Sequence, residues 1–375
     1  MDLDLSPDQK LFRSTTKKFL ESETPLERVR ELAAAPQGFD RDWWERGAEL
    51  GWAAMLVPDD PGAGRISGEG LLGLIVIAEE MGRMVAPGPL LPVNTVITAL
   101  VESAGGPDHS AELDELASGA LVAGWACDEP GTGWGTGPLR TVLTPVPGGF
   151  VLDGAKDRVE AAGQADRFLI SAQSADGPAQ VLVRAGTPGL SIEPSWSLDV
   201  VRRFGEVRLD GVQVGPEALV GQPGQAAAAM RRQNQVAAVL SCAETCGVAG
   251  RVLEFTVEWA FDRYSFGRPL ASYQALKHRF ADMKTWLEAC HATTLAAARA
   301  VAAAAPDAAE LASVAKSYVG SRATDIIQDC VQMHGGLGVT WEHDLHLYLR
   351  RATVNRALHG TPEEHRRRIA DLMEA

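Results

Sequence analysis

The apolar pattern of this chain changes its period twice, and no single motif constrains the fold as strongly. From Ser6 to about Leu116 apolar residues recur at spacings of three and four, the period of amphipathic helices. The stretch Ser6-Pro7-Asp8-Gln9 supplies a helix start, with an N-cap serine, proline at the first helical position and glutamine three residues after the cap. Leu11, Phe12, Thr15, Phe19 and Leu20 then share one helix face. Further helices are expected over 40–50, 71–84 and 110–117. From about Gly119 to Val220 the helical period is lost. Short β-rich runs at 121–127, 140–143, 149–152, 167–172, 180–184, 190–193 and 203–209 alternate with glycine and proline, which predicts an antiparallel β barrel or sandwich. No long helix interrupts them, so a doubly wound parallel sheet is disfavoured. From about Gly224 the chain is alanine-rich and helical again, with helices expected over 226–264, 272–305, 308–333 and 345–358. Gly247 and Gly250 sit inside the first of these. The expected architecture is an α+β multidomain chain: an N-terminal helical domain (1–118), a central β domain (119–222) and a C-terminal four-helix bundle (223–375).

Composition removes several function classes. The chain of 375 residues carries a net charge of −14. Such a surface repels phosphate backbones, so nucleic acid is not expected as a partner. The five cysteines include no CxxC pair, so no metal site and no disulfide framework are expected, and a reducing cytoplasm fits. The acidic opening MDLDLSPDQKLF is unlike a signal peptide, and the apolar runs are too short to suggest a membrane span.

Two motifs stand out in the bundle. Arg263-Tyr264-Ser265-Phe266-Gly267-Arg268-Pro269-Leu270 ends a long helix with an arginine and a kink, and Gln274 and His278 follow on the next helix. This arrangement suits a guanidinium set against a phosphate. Gln332-Met333-His334-Gly335-Gly336-Leu337-Gly338 places three glycines after another helix, letting backbone approach a ligand closely. The run Gly131 to Gly137 lacks the spacing of a dinucleotide fingerprint and reads as a loop between strands.

These stretches resemble the acyl-CoA dehydrogenase family along nearly the whole chain. The likeness is carried by Leu50-Gly51-Trp52 through Val57-Pro58, Glu79-Glu80-Met81-Gly82-Arg83, Glu129-Pro130-Gly131, Gly154-Ala155-Lys156, Ala165-Asp166 and the two bundle motifs. The resemblance implies an oxidoreductase that desaturates an acyl-CoA thioester between Cα and Cβ with FAD. It also implies a tetramer and an electron-transfer flavoprotein or similar acceptor. By position, Arg263, Phe266, Gln274, Gln332, Gly335 and Gly336 match the groups that meet the FAD pyrophosphate and adenosine, often those of a flavin bound to a partner subunit.

The match fails where the chemistry would be. The family's usual base position holds His359, and the alternative position on the long helix falls at Ala237. The candidate bases are therefore His359 and Glu244, a turn or two beyond Ala237, with a solvated surface role as the alternative for Glu244 and a capping role for His359. Around the flavin ring, positions expected to hold hydroxyl or small residues hold Asp128, Trp134 and Glu160, and Arg158 stands where an aromatic residue is usual. One expectation covers both halves of this pattern: a subunit of a hetero-oligomeric dehydrogenase whose homologous partner supplies base and flavin pocket, with a bulky fatty or steroid side-chain thioester as substrate. The alternatives are a self-sufficient homotetramer using His359 or Glu244, and a pseudoenzyme that binds CoA esters or a partner without redox chemistry.

Overall fold

The computed structural model describes residues 5–59, 64–103, 105–133 and 139–374. The N-terminal helices are α1 (Pro7–Glu23), α2 (Leu26–Ala34), α3 (Arg41–Glu49), α4 (Gly68–Arg83), α5 (Leu90–Glu102) and α6 (Ser110–Ala117). Ser6 caps α1 as its sequence requires: its hydroxyl accepts from the Gln9 amide at 3.2 Å, and the Gln9 side chain accepts from the Ser6 amide at 3.0 Å. Helix α5 carries Pro92 within its first turn, where a missing N–H costs nothing. Because it is buried on nearly every side, it carries no amphipathic period for the apolar pattern to reveal. It is buried along most of its length.

The central strands are β1 (Ala123–Ala126), β2 (Val142–Val146), β3 (Gly149–Glu160), β4 (Arg167–Ser174), β5 (Gly177–Arg184), β6 (Leu190–Ser195), β7 (Phe204–Val214) and β8 (Leu219–Val220). They form one sheet in the order β6-β7-β3-β2-β4-β5-β8, with β1 against β4. The sheet is mixed, and among the described residues it does not close, which corrects the expected antiparallel barrel or sandwich. The β2–β3, β4–β5 and β6–β7 pairs are antiparallel, but β1 enters from α6 and runs parallel to β4. Strand β3 carries a bulge between Lys156 and Val159 in its pairing with β7, and Arg158 within it has φ +52°. Bulges re-aim the side chains that follow; here the next are Val159 and Glu160.

The bundle comprises α7 (Ala226–Asp262), α8 (Gln274–Ala302), α9 (Ala308–His334), α10 (Leu345–Ala357) and α11 (Pro362–Glu374). The last was passed over in the sequence, although Thr361 and Glu364 cap it as Ser6 and Gln9 cap α1. Helix α7 is apolar and long enough to cross a membrane by length and composition, but α4, α5, α8, α9 and α10 cover it. The glycines explain how α4 comes so close. A Cβ on Gly82 would stand 1.9 Å from the Glu244 carbonyl oxygen, and one on Gly247 would stand 1.9 Å from that of Glu79. Backbone thus meets backbone across the α4–α7 crossing. Gly82→Ala is expected to cost about 2 kcal/mol through overpacking, read as a lower denaturant midpoint with an unchanged slope.

Candidate functional site

The residues singled out in the sequence fall into two separate places. Arg263, Phe266, Gln274, Gln332, Gly335 and Gly336 gather at one end of the bundle. Arg263 is the C-cap of α7, and its guanidinium lies over Trp259 at 5.9 Å. The Trp259 ring stacks on His334 with centroids 5.2 Å apart, which brings the end of α9, with Gln332 and the following glycines, beside the end of α7. Between them, Tyr264–Ser265 pairs with Arg268–Pro269 as a two-residue ladder. Arg268 lies 3.9 Å over the Tyr273 ring, and the Tyr273 hydroxyl donates to the Ser265 carbonyl at 2.7 Å. This brace holds Phe266 at φ +50° and 97% exposed. A bulky side chain in the left-handed region with no cover is strained, so the turn is built to present it. Arg263, Gln274, Gln332, Gly335 and Gly336 are exposed too, and a Cβ on either glycine would meet nothing within 4 Å.

Glu244 and His359 lie elsewhere, beside Arg202 in the interior. Glu244 is buried, which corrects the surface alternative considered for it. Arg202 Nη2 donates to both of its carboxylate oxygens at 3.1 and 3.0 Å, Arg351 Nη1 at 2.8 Å, and Asn355 Nδ2 at 2.8 Å. Arg202 Nε also pairs with Glu160 Oε1 at 2.8 Å, so the acid in the flavin-hydroxyl position reaches into the same cluster. Arg351 Nε bonds Asp199, whose other oxygen accepts the Val201 and Arg202 amides at 3.0 Å each. Asp199, Arg202, Arg351 and Asn355 are not among the candidate site residues the sequence offers, and no local motif marks them.

The electrostatics follow from burial and pairing. Burial alone would raise the Asp199 carboxyl, but Arg351 and Arg202 outweigh it and bring it down to about 2. Glu244 is likewise held below the ordinary range: burial opposes, and Arg202, Arg351 and Asn355 prevail. For Glu160 burial wins, reinforced by the Glu244 and Asp199 charges, and its carboxyl is raised. His359 follows α10 at φ +59°, a left-handed C′ position, and its ring stacks on Trp125 at 5.9 Å. Burial, then the Lys316 and Arg202 charges, depress its imidazole well below the usual value. A group so depressed is neutral at pH 7 and a weak acceptor for an α-proton. Lys316 is buried, brought down to about 8 by desolvation, and donates to the Asn355 and Arg356 carbonyls at 2.7 and 3.3 Å, tying α9 to the end of α10.

Other residues of β3 serve the sheet itself. Arg158 turns to Asp157 and to the Thr132 carbonyl at 3.2 Å. Lys156 makes a buried pair with Glu129 at 2.8 Å, and Glu129 also accepts the Arg140 and Thr141 amides. Trp134 and the rest of 134–138, including part of the glycine run, lie outside the described residues.

Comparison with known proteins agrees with this architecture. The family model for the acyl-CoA dehydrogenase N-terminal domain matches residues 6–120, and that for the acyl-CoA dehydrogenase C-terminal domain matches residues 227–373. The chain belongs to the acyl-CoA dehydrogenase family, FAD-dependent oxidoreductases. It is similar to acyl-CoA dehydrogenase IpdE2 of Mycobacterium tuberculosis, 32% identical with 96% of each chain covered. Among solved structures it resembles the ChsE4-ChsE5 complex of M. tuberculosis at 26% identity and TM-score 0.86, covering 100% of this chain and 99% of the other. It also resembles a variant of the Tcur3481-Tcur3483 steroid ACAD at 28% identity and TM-score 0.88, covering 98% of each chain.

The two places fit FAD differently. The exposed end of α7 and α9 offers a guanidinium, an amide side chain and open backbone, a donor set suited to a pyrophosphate. The interior face does not fit a flavin ring. At the position where the family offers a hydroxyl donor, Glu160 stands bonded to Arg202, and Trp125, His359, Arg202 and Glu244 are packed there with at most 8% of each exposed.

Proposed function

We propose that this chain is one subunit of a hetero-oligomeric acyl-CoA dehydrogenase, a tetramer in which a homologous partner holds the flavin ring and carries the base. The observation behind this reading is the contrast between the two places: the residues that would clasp a partner's cofactor are exposed and presented outward, and the chain's own ring position is closed by paired charges. The reaction implied by the family is α,β-desaturation of an acyl-CoA thioester. This chain's part in it is to bind and orient. Arg263 and the backbone at Gly335-Gly336 meet the pyrophosphate, and Phe266, Gln274 and Gln332 flank the rest of the cofactor. On this reading Glu244 and His359 hold the interior together, and neither takes the α-proton. The ChsE4-ChsE5 complex and the Tcur3481-Tcur3483 steroid ACAD support the partnership and a bulky acyl group. Electrons leave through an electron-transfer flavoprotein or similar acceptor. Turnover of a steroid side-chain CoA thioester with an artificial acceptor tests the reading. The lone chain is expected to be inactive and a mixed assembly with its homologous partner active. Turnover by the lone chain contradicts it.

A further inference from the structure

We infer that the buried network of Glu160, Asp199, Arg202, Glu244, Arg351 and Asn355 stands in this chain for the cofactor ring, docking sheet to bundle with charges the chain supplies itself. The inference deepens the proposed function by naming what closes the site. The network draws on elements far apart in sequence: Glu160 from the end of β3, Asp199 and Arg202 from the loop before β7, Glu244 from the middle of α7, Arg351 and Asn355 from α10. Arg351 also donates to the Ala86 carbonyl between α4 and α5 at 3.1 Å. Every layer of the molecule therefore meets at this point. Each carboxylate faces a guanidinium, and Asn355 closes the remaining gap by donating to Glu244 and to Thr245 Oγ1 at 3.1 Å while Arg202 donates to its oxygen. The charged groups of the network are paired among themselves, while the neighbouring Trp125 Nε1 is buried without a hydrogen-bond partner among the described residues. Here the substituted Glu160 finds a buried arginine at 2.8 Å. The network lies roughly 28 Å of helix away from Arg263 along α7, so the closure and the exposed clasp are separable by substitution.

The test is thermal melting and flavin content of the full chain, alone and with its partner. Added FAD should leave the melting temperature of the lone wild-type chain unchanged, and the chain should carry no flavin absorbance. Arg202→Met strands Glu160 and part of Glu244, and should lower the melting temperature by about 5 °C. Arg202→Lys keeps the charge but loses the planar fork, and should shift it in the same direction by less, which covers the case in which the methionine variant fails to accumulate. Glu160→Gln with Arg202→Met should cost less than the sum of the two single changes, the signature of a direct pair. Stoichiometric flavin in the lone chain with a raised melting temperature overturns the inference, as do strictly additive losses. A flavin-free, coupled chain that joins no homologous partner would sink the proposed partnership and leave the network standing. A mixed assembly with flavin on every chain would do the reverse.

Discussion

Replacing Arg351 by methionine should destabilise the chain by about 3–5 kcal/mol, because it takes the main counter-charge from buried Asp199 and one of two guanidinium partners from buried Glu244. Arg351 is 1% exposed and pairs with both Asp199 and Glu244. Denaturant unfolding of purified protein would measure the loss directly. The same contacts set the acid limit of stability. Asp199 is brought from an ordinary value of 3.8 to about 2 in the folded chain. A depressed carboxyl contributes stability that is fully present above its unfolded value and lost as pH falls through its folded one. Its contribution, about 2 kcal/mol, should therefore disappear between about pH 4 and pH 2. In the Arg351→Met chain that acid limb should flatten, since the depression has lost its largest favourable cause. An unchanged limb would mean that the loop amides of Val201 and Arg202 hold Asp199 down without Arg351.

Arg263→Ala should act oppositely, sparing the fold and damaging the assembly. Arg263 is exposed at the end of α7 and touches the rest of the chain mainly through Trp259. Its loss should leave the melting temperature of the lone chain within about 1 °C, as expected for a surface change. In the mixed assembly it removes a charge-assisted contact to a pyrophosphate, worth about 1.5–3 kcal/mol, so flavin retention should fall roughly 10- to 100-fold. Flavin release during dilution, followed by fluorescence, reads this without relying on turnover. Equal retention by wild type and variant would take the clasp away from Arg263.

The period of the apolar pattern made the architecture legible, because a helix and a strand bury their faces at different spacings. Seven strands fell on β-rich runs that alternate with glycine and proline. Helix α5 was lost because buried all-round helices carry no amphipathic period. The parallel placement of β1 was lost because strand order is a long-range property that no local run encodes. The site was legible in its parts and not in its assembly. Arg263, Gln332 and the glycines stand in compact motifs on adjacent helix ends. Glu160, Asp199, Arg202, Glu244 and Arg351 come from distant elements, and only folding reveals that the apparent losses at 160 and 359 belong to one packed interior. Glu244 looked like a solvated glutamate because nothing in its own helix announces the two arginines that cover it.

The most direct test of the account is the flavin-to-chain ratio, taken from visible absorbance together with native mass, for this chain alone and in complex with its homologous partner. The account gives no flavin on the lone chain and one flavin for every two chains in the mixed tetramer. A lone chain that purifies yellow with one flavin bound would contradict it, and would return Glu244 and His359 to consideration as bases.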